Sequence, residues 1–133
     1  MGHVEIRKLK DGMFSDPKTG WSAFPFLLSG EKNLDVRGVH VVAIYPGQVR
    51  GNHYHEEAVE YQFMFAGTGE FYWEKDGDTR KDVISGTPTV ITIPPGVRHA
   101  FRNTGEKTVY LLAVREGEHD PRNPDTVRSP FVE

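Results

Sequence analysis

The chain reads as an all-β sandwich or barrel, on three observations. Short β-branched or aromatic runs recur at roughly ten-residue spacing from residue 39 onward. Fourteen glycines and nine prolines fall mostly between those runs. No stretch sustains a helical apolar period beyond one or two turns.

In chain order, Val39-His40-Val41-Val42-Ala43-Ile44-Tyr45 is the first strong strand signal, stopped by the turn pair Pro46-Gly47. Residues 61–66 form an apolar run closed by Gly67-Thr68-Gly69. Phe71-Tyr72-Trp73 leads into Lys75-Asp76-Gly77-Asp78, a polar segment suited to a hairpin tip. Val90-Ile91-Thr92-Ile93 stops at Pro94-Pro95-Gly96. His99-Ala100-Phe101 follows, then a turn over residues 103–106, then the strand 109–114. Residues 116–133 carry three prolines among charges and read as an extended arm, packed on the surface or on a neighbour.

With 133 residues there is room for one buried core, so 1–133 reads as a single domain. Two Trp, five Tyr and eight Phe supply much of the burial. Sixteen basic residues against nineteen acidic leave a net charge of −3 without a basic block, which argues against nucleic acid and anionic membrane as partners. The lack of cysteine removes disulfides, thiolate metal sites and cysteine nucleophiles. No apolar run reaches the length of a spanning helix, and the first residues lack the order of a secretion signal. The expectation is a soluble, cytoplasmic protein. His3 follows Met1-Gly2 and is given no role.

Chemistry concentrates in the middle of the chain. In His53-Tyr54-His55, strand alternation turns both imidazoles to one face, close enough to share an ion. Glu60 follows at the start of the next apolar run. Two imidazoles and a carboxylate recur as ligands of divalent iron, manganese, nickel or zinc. A third imidazole, His99, heads its own strand after the rigid Pro94-Pro95-Gly96 turn. The alternative is a set of satisfied barrel side chains with no ion.

These spacings resemble the two motifs of the cupin superfamily. The first matches throughout at Gly47, His53, His55, Glu60 and Gly67. The second matches at Pro94, Gly96, His99 and Asn103, but Pro88 stands where it has a leading glycine, with Gly86 two residues early. That departure touches a turn and no ligand. The resemblance covers about residues 39–114 and implies a double-stranded β-helix, or jelly-roll, barrel. It also implies one divalent metal (Zn, Fe, Mn or Ni) on His53, His55, Glu60 and His99, with positions left open for substrate.

Strand parity adds a pocket wall. If Glu60 points inward, so do Gln62 and Met64, and Phe101 and Asn103 share a face with His99. Gln62, Met64 and Phe101 are the substrate-pocket candidates for a small organic ligand. Asn103 reads as a turn residue. His40 is undecided between cavity and exterior, His119 reads as solvated, and Asn52 and Tyr54 lie opposite His53. The same parity turns Tyr61, Phe63 and Phe65 outward, an apolar patch to be covered by residues 21–28, by the proline-rich tail, or by a second copy in a homodimer.

For function, the first expectation is a metal-dependent enzyme on a small oxygen-bearing metabolite, oxygenase- or isomerase-like. Arg50-Gly51-Asn52-His53 also resembles a stretch in cupins that handle nucleotide-linked sugars, which makes sugar epimerisation or isomerisation the second reading. A non-catalytic metabolite-binding module is the third.

Overall fold

Each β-branched run becomes a strand in the computed structural model, which describes residues 2–9, 13–23, 25, 36–85, 88–116 and 125–133. The strands are β1 (Glu5–Lys8), β2 (Met13–Asp16), β3 (Gly20–Ala23), β4 (Val36–Ile44), β5 (Val49–His55) and β6 (Val59–Ala66). After them come β7 (Thr68–Lys75), β8 (Asp78–Ser85), β9 (Thr89–Ile93), β10 (His99–Asn103), β11 (Val109–Glu116) and β12 (Thr126–Arg128). Among the described residues there is no helix.

Among the described residues, two five-stranded sheets have the orders β1-β9-β6-β11-β4 and β12-β5-β10-β7-β8, and β2 pairs only with β3. Without β1 and β12, the eight strands β4 to β11 form two four-stranded antiparallel sheets with jelly-roll connectivity. The expected all-β jelly roll is the fold observed. Strands alternate between sheets except at β7–β8. There Lys75 pairs with Asp78, and the turn between them has φ of 52° at Asp76 and 84° at Gly77. Two positive φ values define a turn whose twist matches the flanking strands.

Apolar side chains from both sheets meet between them: Ile44, Met64, Ile91 and Leu111 from one, Phe71 and Phe101 from the other. β6 is covered on both faces. Glu60, Gln62 and Met64 point into the barrel, while Tyr61 and Phe63 on the outer face are only 7% and 8% exposed. Two of the three outward aromatics are thus covered. Leu9 clusters with Phe63 and Val90, and Ala23 packs against that cluster, so residues from the N-terminal segment supply part of the cover from within the chain. Phe65 stays 41% exposed and stacks on Tyr110 of β11.

Asn103 does more than turn the chain. Its side-chain amide donates to the carbonyls of Ile44 and Lys107, each at 2.8 Å, and its Oδ1 accepts from Gly105 N–H at 2.9 Å. The residue is fully buried. Asn103→Ala orphans buried backbone groups and should cost about 2–3 kcal/mol. Urea unfolding checks this; a loss within about 0.5 kcal/mol would mean that water replaces the amide.

Candidate metal centre

Three strands from two sheets bring the four ligand candidates together. His53 and His55 lie on β5, His99 begins β10 beside it, and Glu60 near the start of β6 faces them from the other sheet. One ligand atom from each lies within 4.8 Å of the others. His53 is half-buried; His55, Glu60 and His99 are buried.

A bulge sets the aim of His53. His99 pairs with His53, but Ala100 pairs with Gly51, so β5 carries one extra residue. Gly51 has φ of 101°, and a Cβ there would press on the Ala100 backbone, which restricts the position to glycine. Asn52 follows with φ of 57°, a conformation asparagine tolerates. Its Oδ1 accepts the backbone N–H groups of Phe131 and Val132, each at 3.0 Å.

The hydrogen bonds identify the nitrogens that face the centre. His99 Nδ1 lies 3.0 Å from the Val97 carbonyl, which can only accept, so Nδ1 carries the proton and Nε2 presents a lone pair. Nε2 of His55 lies 3.3 Å from Glu60 Oε1, and Nε2 of His99 lies 3.6 Å from Glu60 Oε2. Both nitrogens are buried without a hydrogen-bond partner. The His99 lone pair and the Glu60 carboxylate thus face each other, with the unpartnered His55 Nε2 beside them. A divalent cation satisfies all of them, so the donor set fits a metal, with zinc, iron, manganese and nickel all suited.

Burial would push the Glu60 carboxyl up, but the His55 and His99 imidazoles facing it outweigh that and hold it well below its ordinary value. Gln62 Nε2 donates to Glu60 Oε2 at 2.8 Å, and Arg115 Nε lies 3.5 Å from Oε1. Burial, reinforced by His99 and His55, lowers the His53 pKa to about 4. His53 is therefore neutral at neutral pH, the form that binds metal.

These shifts fix a pH dependence for the metal-free protein. Below pH about 6.5 the unfolded chain protonates His53, whereas the folded chain waits until about 4, so stability falls across that window. Glu60 acts in the same direction: its contribution is present above the ordinary carboxylate pKa and lost as pH falls through its depressed one. Urea midpoints at pH about 7 and about 4.5 should show the loss, and equal midpoints would contradict it.

A cavity of about 70 Å³ opens beside the four residues. Gln62 and Phe101 line it, as do His40, Arg50 and Leu111. Met64, the third pocket candidate, does not; it lies deeper along β6, opposite Leu111, in the shared core. His119 lies outside the described residues. Burial lowers the His40 pKa, with smaller effects from neighbouring charges that include Glu60 and Arg115.

Sequence reasoning missed Arg115, Asp125 and Thr126. Parity along 109–114 could have placed Arg115 on the inner face with Leu111 and Ala113; nothing local marks the other two. Thr126 Oγ1 lies 3.1 Å and Asp125 Oδ1 3.7 Å from His55 Nδ1. Burial would raise the Asp125 carboxyl, but backbone N–H groups of Ala58 and Glu57 outweigh it and hold the pKa low.

No helix among the described residues is long and apolar enough to cross a membrane. Comparison with known proteins places the chain further. The spore coat polysaccharide biosynthesis protein SpsL of Bacillus subtilis is 28% identical over 95 residues, spanning 65% of this chain and 63% of SpsL. The capsular polysaccharide assembling protein CapF of Staphylococcus aureus superposes with a TM-score of 0.66 at 24% identity, over 90% of this chain and 34% of CapF. CapF has also been crystallised with an inhibitor, 3-isopropenyl-tropolone. QdtA, a sugar 3,4-ketoisomerase from Thermoanaerobacterium thermosaccharolyticum, seen in complex with TDP, superposes with a TM-score of 0.73 at 16% identity, over 95% of this chain and 88% of QdtA. This chain thus spans about a third of CapF and under two thirds of SpsL. The structural likenesses, together with the strand order, show a jelly-roll barrel of the cupin type. The family model described as polysaccharide biosynthesis C-terminal domain matches residues 28–127, three quarters of the sequence, and the chain belongs to that family.

Proposed function

We propose that this chain is a metal-dependent isomerase or epimerase acting on a nucleotide-linked keto sugar in the assembly of a surface polysaccharide. The observation that carries the reading is the convergence of imidazole lone pairs and the Glu60 carboxylate beside a cavity whose wall includes an uncommitted imidazole, His40. SpsL and CapF are named for polysaccharide synthesis, and QdtA is a sugar ketoisomerase. This favours the sugar reading over the broader oxygenase-like one that the sequence placed first.

His53, His55, Glu60 and His99 hold the ion, which when bound supplies Lewis acidity toward a keto oxygen. The chain's own residues do the rest. His40, neutral at neutral pH, takes the proton from the carbon beside the carbonyl to leave an enediol. Returning it to the former carbonyl carbon, while the hydroxyl proton passes to the former keto oxygen, gives the isomeric ketone. Epimerisation instead takes its new proton from water on the opposite face. Arg50 lines the same cavity and offers a cation to the diphosphate. The cavity of about 70 Å³ holds only a handful of waters, so the reacting edge of the sugar enters while the nucleotide stays outside. Phe71, Phe101 and Leu111 keep bulk water from that edge.

Incubation with TDP- and UDP-linked 4-keto sugars in D₂O tests this. Metal-dependent deuterium uptake beside the carbonyl supports it. Tight ligand binding without exchange across the panel would instead make the chain a metabolite-binding module.

The same reading includes a homodimer. Val39, Val41, Phe65 and Tyr110 leave an apolar area on the outer face of the β4-containing sheet, and one self-complementary patch suffices for a two-fold pair. Sedimentation at micromolar concentration should give twice the 15.0 kDa of one chain, and Phe65→Arg should halve it. A 15.0 kDa wild-type species would overturn the dimer.

A further inference from the structure

We infer that Asp125 and Thr126 form an outer support for the metal centre, deciding which nitrogen of His55 faces the ion; this rests on the metal reading above. The two residues are 70 positions or more beyond His55 in the chain. β12 brings them back by pairing antiparallel with β5, with Thr126 opposite His55.

Asp125 meets the loop between two of the ligand residues, and it also faces His55 and Arg115. Its Oδ2 accepts from the backbone N–H groups of Glu57 and Ala58, at 3.1 and 2.9 Å. Its carbonyl accepts from Glu56 N–H at 3.0 Å. Those residues form the loop between His55 and Glu60, so one aspartate sets the separation of two ligands. Its Oδ1 faces His55 Nδ1 at 3.7 Å and Arg115 Nη1 at 4.0 Å, and Arg115 in turn reaches Glu60.

The chemistry follows from what each atom can accept. A carboxylate only accepts, and the Thr126 hydroxyl can accept as well, so both favour the His55 tautomer with its proton on Nδ1. That leaves the Nε2 lone pair toward Glu60, where the ion binds. Outer partners of this kind are worth about 10–100-fold in metal affinity. Asp125→Asn keeps an oxygen for the loop amides but turns an NH₂ group toward His55 Nδ1, which favours the opposite tautomer. Thr126→Val keeps the strand shape and removes the hydroxyl. Thr126→Ser restores it.

The experiment has two readouts on full-length protein. Nitrogen-15 shifts of the His55 ring, recorded without metal, report the tautomer. Competition with a chromophoric chelator reports Zn²⁺ affinity. Expected are an Nδ1–H tautomer in the wild type, a shift toward Nε2–H in Asp125→Asn, and Zn²⁺ binding weakened about 10–100-fold in Asp125→Asn and Thr126→Val, recovered in Thr126→Ser. If Asp125→Asn does not fold, the threonine pair decides. Unchanged tautomer and affinity within about twofold in the folded variants would overturn the inference. A wild type that takes up no Zn²⁺ would overturn the metal reading instead, and the ring shifts would still decide whether Asp125 and Thr126 set the His55 tautomer.

Discussion

His55→Ala should lower the affinity for Zn²⁺ roughly 100-fold or more while the barrel stays folded. The magnitude comes from sharing a structural-site binding energy of about 10–16 kcal/mol over four ligands, about 3 kcal/mol each. The survival of the fold has a separate reason. None of the four ligand residues belongs to the apolar cluster of Phe71, Ile91, Leu111 and their neighbours, where both sheets meet. Removing the imidazole also removes a buried ring nitrogen that has no hydrogen-bond partner among the described residues. Chelator competition gives the affinity, and circular dichroism with thermal unfolding gives the fold. If chelating the wild type unfolded it, the ion would be a structural staple and the case for catalysis would weaken sharply.

His40→Ala should slow deuterium exchange into the keto sugar by about 10²–10⁴-fold, the range for losing a general base. Zn²⁺ affinity should stay within about threefold, because His40 lies outside the ligand set. The side chain is exposed at the cavity wall, so its loss leaves no buried void. A proton acceptor must be neutral, and burial lowers the His40 pKa below its ordinary value. Wild-type exchange should therefore hold steady as pH falls to about 6.5 and decline below it. Exchange retained in His40→Ala with metal bound would place the base elsewhere.

The ligand candidates and the fold class were readable because both rest on local patterns. Alternation with period 2 put His53 and His55 on one face, and Gly67 marks the β6–β7 turn, where its φ of 104° suits glycine. Asp76-Gly77 announced its hairpin in the same way. Parity also placed Gln62 and Phe101 at the cavity. It also turned Met64 inward, where it lies in the shared core, because parity gives the face of a strand and not the depth along it.

What only the tertiary structure decided involves partners far apart in sequence. Leu9 and Ala23 join the cluster around Phe63 from more than 35 residues away, and no periodicity in β6 announces them. Asp125 and Thr126 reach His55 because β12 adds itself to the edge of β5, a pairing between strands that share no turn. Arg115 reaches Glu60 because β11 lies between β4 and β6. A strand's side chains alternate by its own stereochemistry, so residues alone specify which face a ligand takes. Which strand lies alongside is set by how two sheets close over a shared core, and that is a property of the whole chain.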